Sequence, residues 1–170
     1  MKIKIEKNII IKNPQTRDFL ADVFYKETEE KLPLLIFAHG YKGYKDWGAR
    51  DLMAKKFAEA GFFFVKFNFS HNGTTLNQPK EFDDLEAFGH NNFSKEISDY
   101  DEVLNCFSQD TRIDKERIVI MGHSRGGGIS VIKAFEDERV KILISLAGVS
   151  NFKYRFPREQ RFEDWKNSGV

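Results

Sequence analysis

The sequence predicts an α/β domain: a mostly parallel sheet flanked by helices and opened by an antiparallel hairpin at its N-terminal edge. Three observations point there. A short, continuously apolar run stands at Leu34–Ala38, and further predominantly apolar strand-like runs follow at Phe62–Phe69, Arg117–Met121 and Lys141–Ala147. Runs of this kind suit strands buried on both faces. Segments of helical spacing separate them, and the first 26 residues alternate at period two instead.

The elements follow in chain order. Residues 2–11 and 18–26 read as the first two strands, joined through Asn13-Pro14, which is turn chemistry. Phe19, Ala21, Val23 and Tyr25 alternate with Leu20, Asp22, Phe24 and Lys26, the pattern of a half-buried strand. A helix is expected from about Trp47 to Ala60, with Met53, Phe57 and Ala60 on one face and Gly61 as its stop. The stretch 70–93 is polar and loop-like, punctuated by Asn72-Gly73 and Pro79. Ile97, Tyr100, Leu104 and Phe107 then mark a helix face. A further helix is expected over Ile129–Glu136, and the tail from Asn151 to Val170 carries no strand signal.

Composition fits one globular domain spanning 1–170, with 17 Phe that require an interior. The 27 basic and 26 acidic residues nearly cancel and form no stripe, which argues against nucleic acid and anionic membranes as partners. The lone Cys106 excludes an intrachain disulfide and suits a reducing cytosol. Met1–Lys7 alternates charge with Ile and has no apolar stretch of the kind a signal peptide needs. A cytoplasmic location is the expectation.

The strongest chemical signal is Gly122-His-Ser-Arg-Gly126, set between the strand ending at Met121 and an apolar helix. There a serine projects from a tight strand-to-helix turn as a nucleophile elbow, and Ser124 becomes the candidate nucleophile. Glycine at 122 and 126 lets helix and strand approach closely. The bland alternative is a glycine-rich turn that only joins the two elements. A second feature is Phe37-Ala-His-Gly40, which closes an earlier buried strand and leads into Tyr41-Lys-Gly43. An oxyanion hole needs two prearranged N–H donors, for which the backbone amides of Arg125 and Tyr41 are the candidates. The Arg125 side chain has two open roles, orienting a carboxylate in the pocket or making a structural ion pair.

With these motifs in order, the chain resembles the α/β-hydrolase superfamily, from the opening hairpin to the strand at Ile142–Ala147. Phe67-Asn-Phe-Ser-His-Asn-Gly73 together with Gly122–Gly128 is most similar to its dienelactone-hydrolase-like and acyl-peptidase-like branch. The resemblance implies an α/β-hydrolase fold and a cofactor-free serine mechanism, in which a small acyl substrate acylates Ser124 and water releases it. It also implies an acid and then a histidine after the serine, on later strands.

None of the four histidines, His39, His71, His90 and His123, follows Ser124. A serine hydroxyl without a base is a weak nucleophile. The expectation is therefore a sheet cut short after about its sixth strand, with acid and base absent, His39 ordering the oxyanion loop, His71 and His90 solvated, and the open edge at 141–147 prone to self-association. Other motifs fail: His39–Gly43 is not a dinucleotide fingerprint, and Gly128-Ile129 stand where a phosphate loop needs Lys-Ser/Thr. Asp83, Asp84, Glu86 and His90 read as a solvated loop rather than a metal site. Carboxylester cleavage is the expected chemistry. A peptidase or thioesterase would use the same residues, and a non-catalytic binding module is the rival from another class.

Overall fold

The structure, a computed structural model, describes residues 2–155 and 159–168. Six strands, β1 (Ile3–Ile11), β2 (Phe19–Lys26), β3 (Leu32–Ala38), β4 (Phe63–Phe67), β5 (Ile113–His123) and β6 (Val140–Leu146), form one sheet of order β1-β2-β4-β3-β5-β6. Strands β4, β3, β5 and β6 run parallel, and β2 is antiparallel to both its neighbours. The reversed strand thus lies one place inside the edge, because β1 turns back to the direction of the rest.

The helices are α1 (Arg50–Glu59), α2 (Leu85–Gly89), α3 (Phe93–Ser108), α4 (Arg125–Glu136) and α5 (Gln160–Ser168), with α1 packed on one face of the sheet and α3 and α4 on the other. The pleat sorts the apolar runs between two cores. Leu34, Ile36, Val65, Phe67, Ile118 and Ile120 join the core that includes Tyr100 and Leu104 of α3. Leu35, Phe37, Phe64, Val119 and Met121 join the core that includes Ala54 and Ala58 of α1. Two covered faces explain why the central strands are apolar without alternation.

Several expectations need correction. Strand β2 is not half-buried: Phe19 to Phe24 are all buried, Asp22 included. The helix expected from Trp47 begins at Arg50, and Ala54 and Ala58 rather than Ala60 are its buried residues. Helix α4 starts at Arg125, so Gly126, Gly127 and Gly128 lie inside it rather than before it. The polar stretch 70–93 holds α2 and buries Ser70, Asn72 and Thr74. It is ordered by Asp99 of α3, whose carboxylate accepts from the Ser70 N–H at 2.7 Å and from Thr16 Oγ1 at 2.7 Å.

Asp22 is buried because it has partners. It opposes Lys66 across the β2–β4 pair and lies 2.8 Å from Lys45 Nζ and 3.1 Å from Lys66 Nζ. Asp46 joins both lysines, Asp51 binds Lys66 at 2.5 Å, and Lys7 binds Asp51 at 2.8 Å. Three aspartates thus meet three lysines. The carboxylates of Asp22, Asp46 and Asp51 lie close enough together to hold a cation, but lysine ammonium groups already serve them.

Candidate active site

Strand β5 ends at His123 and α4 begins at Arg125, which leaves Ser124 to make the whole turn. It does so at φ 54° and ψ −117°. A non-glycine residue there costs about 1–3 kcal/mol and persists only where its surroundings enforce it. Three backbone hydrogen bonds do so: the Ser124 N–H donates to Leu146 O at 2.9 Å, and its carbonyl accepts from Gly128 N at 3.1 Å and Val149 N at 3.0 Å.

The two flanking glycines are required by space rather than by dihedral freedom. A Cβ on Gly126 would stand 2.5 Å from Ala38 O and closer still to His39 O. One on Gly122 would stand 2.6 Å from Gly127 N and closer still to the Gly126 carbonyl. The elbow is therefore clamped against the end of β3, which carries the other loop of the site.

That loop is held by His39, which is 2% exposed. Its Nε2 accepts the Phe69 N–H at 3.2 Å, so Nδ1 carries the proton and donates to Gly40 O at 2.9 Å. Burial holds the imidazole pKa down to about 3, so the ring is neutral at ordinary pH. Gly43 N donates to Gly40 O at 3.0 Å and closes a turn in which Lys42 has φ 55°. A Cβ on Gly40 would lie 3.1 Å from Ser124 Cβ, so loop and serine touch. Among the described residues the Tyr41 and Arg125 N–H groups donate to no acceptor, and the Ser124 hydroxyl makes no hydrogen bond.

The Arg125 side chain makes an ion pair. Its Nη1 lies 3.1 Å from Glu96 Oε1, and its guanidinium is 4.6 Å from the Tyr41 ring centre and 5.0 Å from that of Phe93. Glu96 also accepts from Asn91 at 2.8 Å, while its Oε2 is buried without a hydrogen bond. Burial pushes this carboxyl pKa up. Sequence reasoning missed Glu96, although it stands one helical turn before Tyr100 on the buried face of α3.

The remaining candidates divide. His123 is exposed and makes no bond to the serine. His71 is half-buried rather than solvated: Ser70 Oγ lies 2.7 Å from its Nδ1, and desolvation lowers its pKa to about 4. His90 ends α2. Asp84 is no metal ligand, since it caps α2 at Ala87 N, 3.0 Å away, and binds Arg17 at 2.7 Å.

Two cavities meet at Ser124. One of about 300 Å³ is lined by Tyr41, Phe93, Arg125, Val149, Phe152 and Arg155. The other, about 230 Å³, lies between the 40–43 loop and the start of α1 and is lined by Lys42, Trp47, Arg50 and His123. No helix among the described residues is long and apolar enough to cross a membrane.

Known proteins resemble this chain in sequence and fold. The chain is 26% identical over 125 residues to the quorum-quenching protein AidA of Acinetobacter baumannii, covering 74% of this chain and 38% of that protein. Among solved structures, a hypothetical protein from Pseudomonas aeruginosa superposes with a TM-score of 0.77 at 20% identity, over 99% of this chain and 52% of that one. An acetyl xylan esterase from a Paenibacillus species does so with a TM-score of 0.71 at 18% identity, over 97% of this chain and 56% of the esterase. The chain thus spans roughly two-fifths to three-fifths of the lengths it matches. The fold is that of the α/β-hydrolases, and relatives of the chain include a thiohydrolase of Aspergillus aculeatus, 27% identical over 127 residues, covering 72% of this chain and 36% of that protein. Residues 48–169 match the prolyl oligopeptidase family, and with that match covering most of its length the chain belongs to this family of hydrolases.

Proposed function

We propose that Ser124 is the nucleophile of a serine hydrolase that cleaves a carboxylic ester or related acyl bond, and that the Tyr41 and Arg125 N–H groups form its oxyanion hole. The observation that carries this is the strained backbone of Ser124, enforced by three hydrogen bonds and packed against the Gly40 loop. Strain at a polar residue facing two cavities is characteristic of catalytic positions. The hydroxyl attacks the acyl carbonyl, the two amides receive the negative charge that develops on its oxygen, and water then hydrolyses the acyl-serine. A peptide or thioester bond would use the same groups.

A fluorophosphonate probe tests the assignment in a protein that also carries an acid and a histidine after Ser124. It should modify Ser124 alone, and labelling that survives Ser124→Ala would overturn it. A second reading, a binding module without turnover, is favoured by one observation: no histidine of residues 1–170 is bonded to Ser124. Losing the base of a triad costs on the order of 10⁶ in rate, with ~10³–10⁴ over water left to the remaining groups. The 170-residue chain should therefore hydrolyse an activated ester feebly. Robust turnover would mean that His39, His71 or His90 acts as base, against their present bonding.

A further inference from the structure

The charges around Ser124 are one-sided. Lys42, Arg50, Arg125 and Arg155 line its two cavities, and among the described residues no carboxylate lines either. The chain as a whole is nearly balanced, at +1. A cleft of one sign with low-dielectric walls concentrates ligands of the opposite sign.

These cations are not equivalent. Arg125 is neutralised by Glu96. Lys42 and Arg155 are exposed and hydrated. Arg50 differs from both. Arg17, Arg112, Arg117, Arg125 and Arg139 each hold a carboxylate. Arg50, the remaining arginine before β6, holds none among the described residues. It is half-buried, donates to the Tyr44 carbonyl and lies 5.1 Å from the Phe37 ring centre. It is also the first residue of α1, whose N-cap, Ala49, offers no side-chain acceptor. A helix N-terminus favours anions, and the carboxylate of this first turn, Asp51, is bound to Lys7 and Lys66, so the Arg50 guanidinium stands there without an ion-pair partner of its own. Desolvation already holds its pKa down to about 10.

We propose that the cavity between the 40–43 loop and α1 is an anion subsite, in which Arg50 holds a carboxylate carried by the acyl substrate. This deepens the serine-hydrolase reading and rests on it: the substrate would present its ester to Ser124 and its carboxylate to Arg50, as a half-ester of a short dicarboxylic acid does. A guanidinium offers a carboxylate two parallel N–H donors. One half-buried cation matches one negative charge, which favours a carboxylate over a phosphate dianion.

The experiment measures binding to the full chain carrying Ser124→Ala, so that turnover is blocked. Monomethyl glutarate and dimethyl glutarate are titrated and followed by calorimetry or amide shifts. The monoanion should bind about 10-fold or more tightly, the worth of one charge-assisted hydrogen bond. Arg50→Gln should abolish that preference, Arg50→Lys should keep part of it, and Arg155→Gln should leave it intact. Equal binding of the two esters, a preference that survives Arg50→Gln, or tighter binding of methyl phosphate than of monomethyl glutarate would each overturn the subsite. Fluorophosphonate labelling of Ser124 in the Arg50→Gln variant keeps the two readings separable. Unchanged labelling with lost anion preference supports the subsite, and unchanged labelling with unchanged preference sinks the subsite alone.

Discussion

Gly126→Ala should damage the site more than its size suggests. The added methyl would stand 2.5 Å from Ala38 O and 2.8 Å from Ala38 C, both backbone atoms at the end of β3. An ordinary carbon–oxygen contact is about 3.3 Å, so α4 and β3 must part by at least roughly 0.8 Å, and His39 O, nearer still, demands more. Overpacking of this kind costs about 1–3 kcal/mol. The displaced backbone is also the one that carries Gly40 and Tyr41, and a shift near 1 Å at a reacting geometry can cost on the order of 10²-fold in rate. Urea unfolding should therefore report a loss of about 1–3 kcal/mol, and fluorophosphonate should label Ser124 far more slowly in conditions where the variant is still folded. Gly48→Ala is the control: nothing lies within 4 Å of its Cβ, and its φ of +61° adds backbone strain only. That variant should lose about 1 kcal/mol and label normally. A Gly126→Ala protein that labels like the parent would refute the claim that this contact sets the oxyanion loop.

Three more outcomes are expected. The His39 pKa falls from 6.5 to about 3 on folding, so the unfolded chain binds its proton first and acid is destabilising between those values; stability relative to His39→Gln should fall by about 3 kcal/mol from pH 7 to pH 4 in urea titrations, and parallel curves would exclude the neutral buried ring. Lys66→Met leaves Asp22 short of a partner and should cost about 3–5 kcal/mol, much of it recovered by Asp22→Leu in the same chain; an unchanged urea midpoint for Lys66→Met would refute the pairing. Among the described residues β6 pairs with β5 alone, and its Ile142 is 56% exposed, so the 170-residue polypeptide should self-associate in sedimentation and Ile142→Lys should suppress it; a monomer at high concentration would count against edge pairing.

The sheet was legible because its central strands are apolar without alternation, and the elbow was legible because two glycines bracket a serine between a strand and a helix. What stayed hidden was charge placed where a hydrophobic pattern permits it. Asp22 occupies a face of β2 that reads as solvent-facing, yet that face is covered by α1 and by two lysines distant in sequence. Period-two alternation reports polarity, not exposure, so a paired buried ion looks like a surface residue. The start of α4 was placed too late for a related reason. Gly126 to Gly128 lower helix propensity, but close packing on β3 and on the chain after β6 overrides it. Arg50 and Glu96 gave no motif, because each matters through what it faces or fails to face rather than through its neighbours in the chain.

The buried charges of this protein fall into distinct physical situations. In the Asp22, Asp46 and Lys66 cluster every ion faces an opposite charge, although Asp22 Oδ2 is buried without a hydrogen bond, and its position beneath α1 joins β1, β2 and β4 to the loop before that helix. Glu96 and Arg125 meet each other, and Glu96 likewise keeps one oxygen buried without a hydrogen bond. Their pairing places the Arg125 guanidinium 4.6 Å from the Tyr41 ring centre, so the two residues proposed as oxyanion donors are also joined through their side chains. Among the described residues Arg50 is met by no carboxylate, and it faces the cavity that Ser124 also faces. Opposite charges are thus paired in the scaffold and at Arg125, and Arg50 beside the reacting serine is the exception among these groups. Unmatched charge is costly for folding alone. Its concentration at one end of the sheet is what a site for an anionic acyl substrate would need, with the ligand supplying the counter-charge that the chain leaves out.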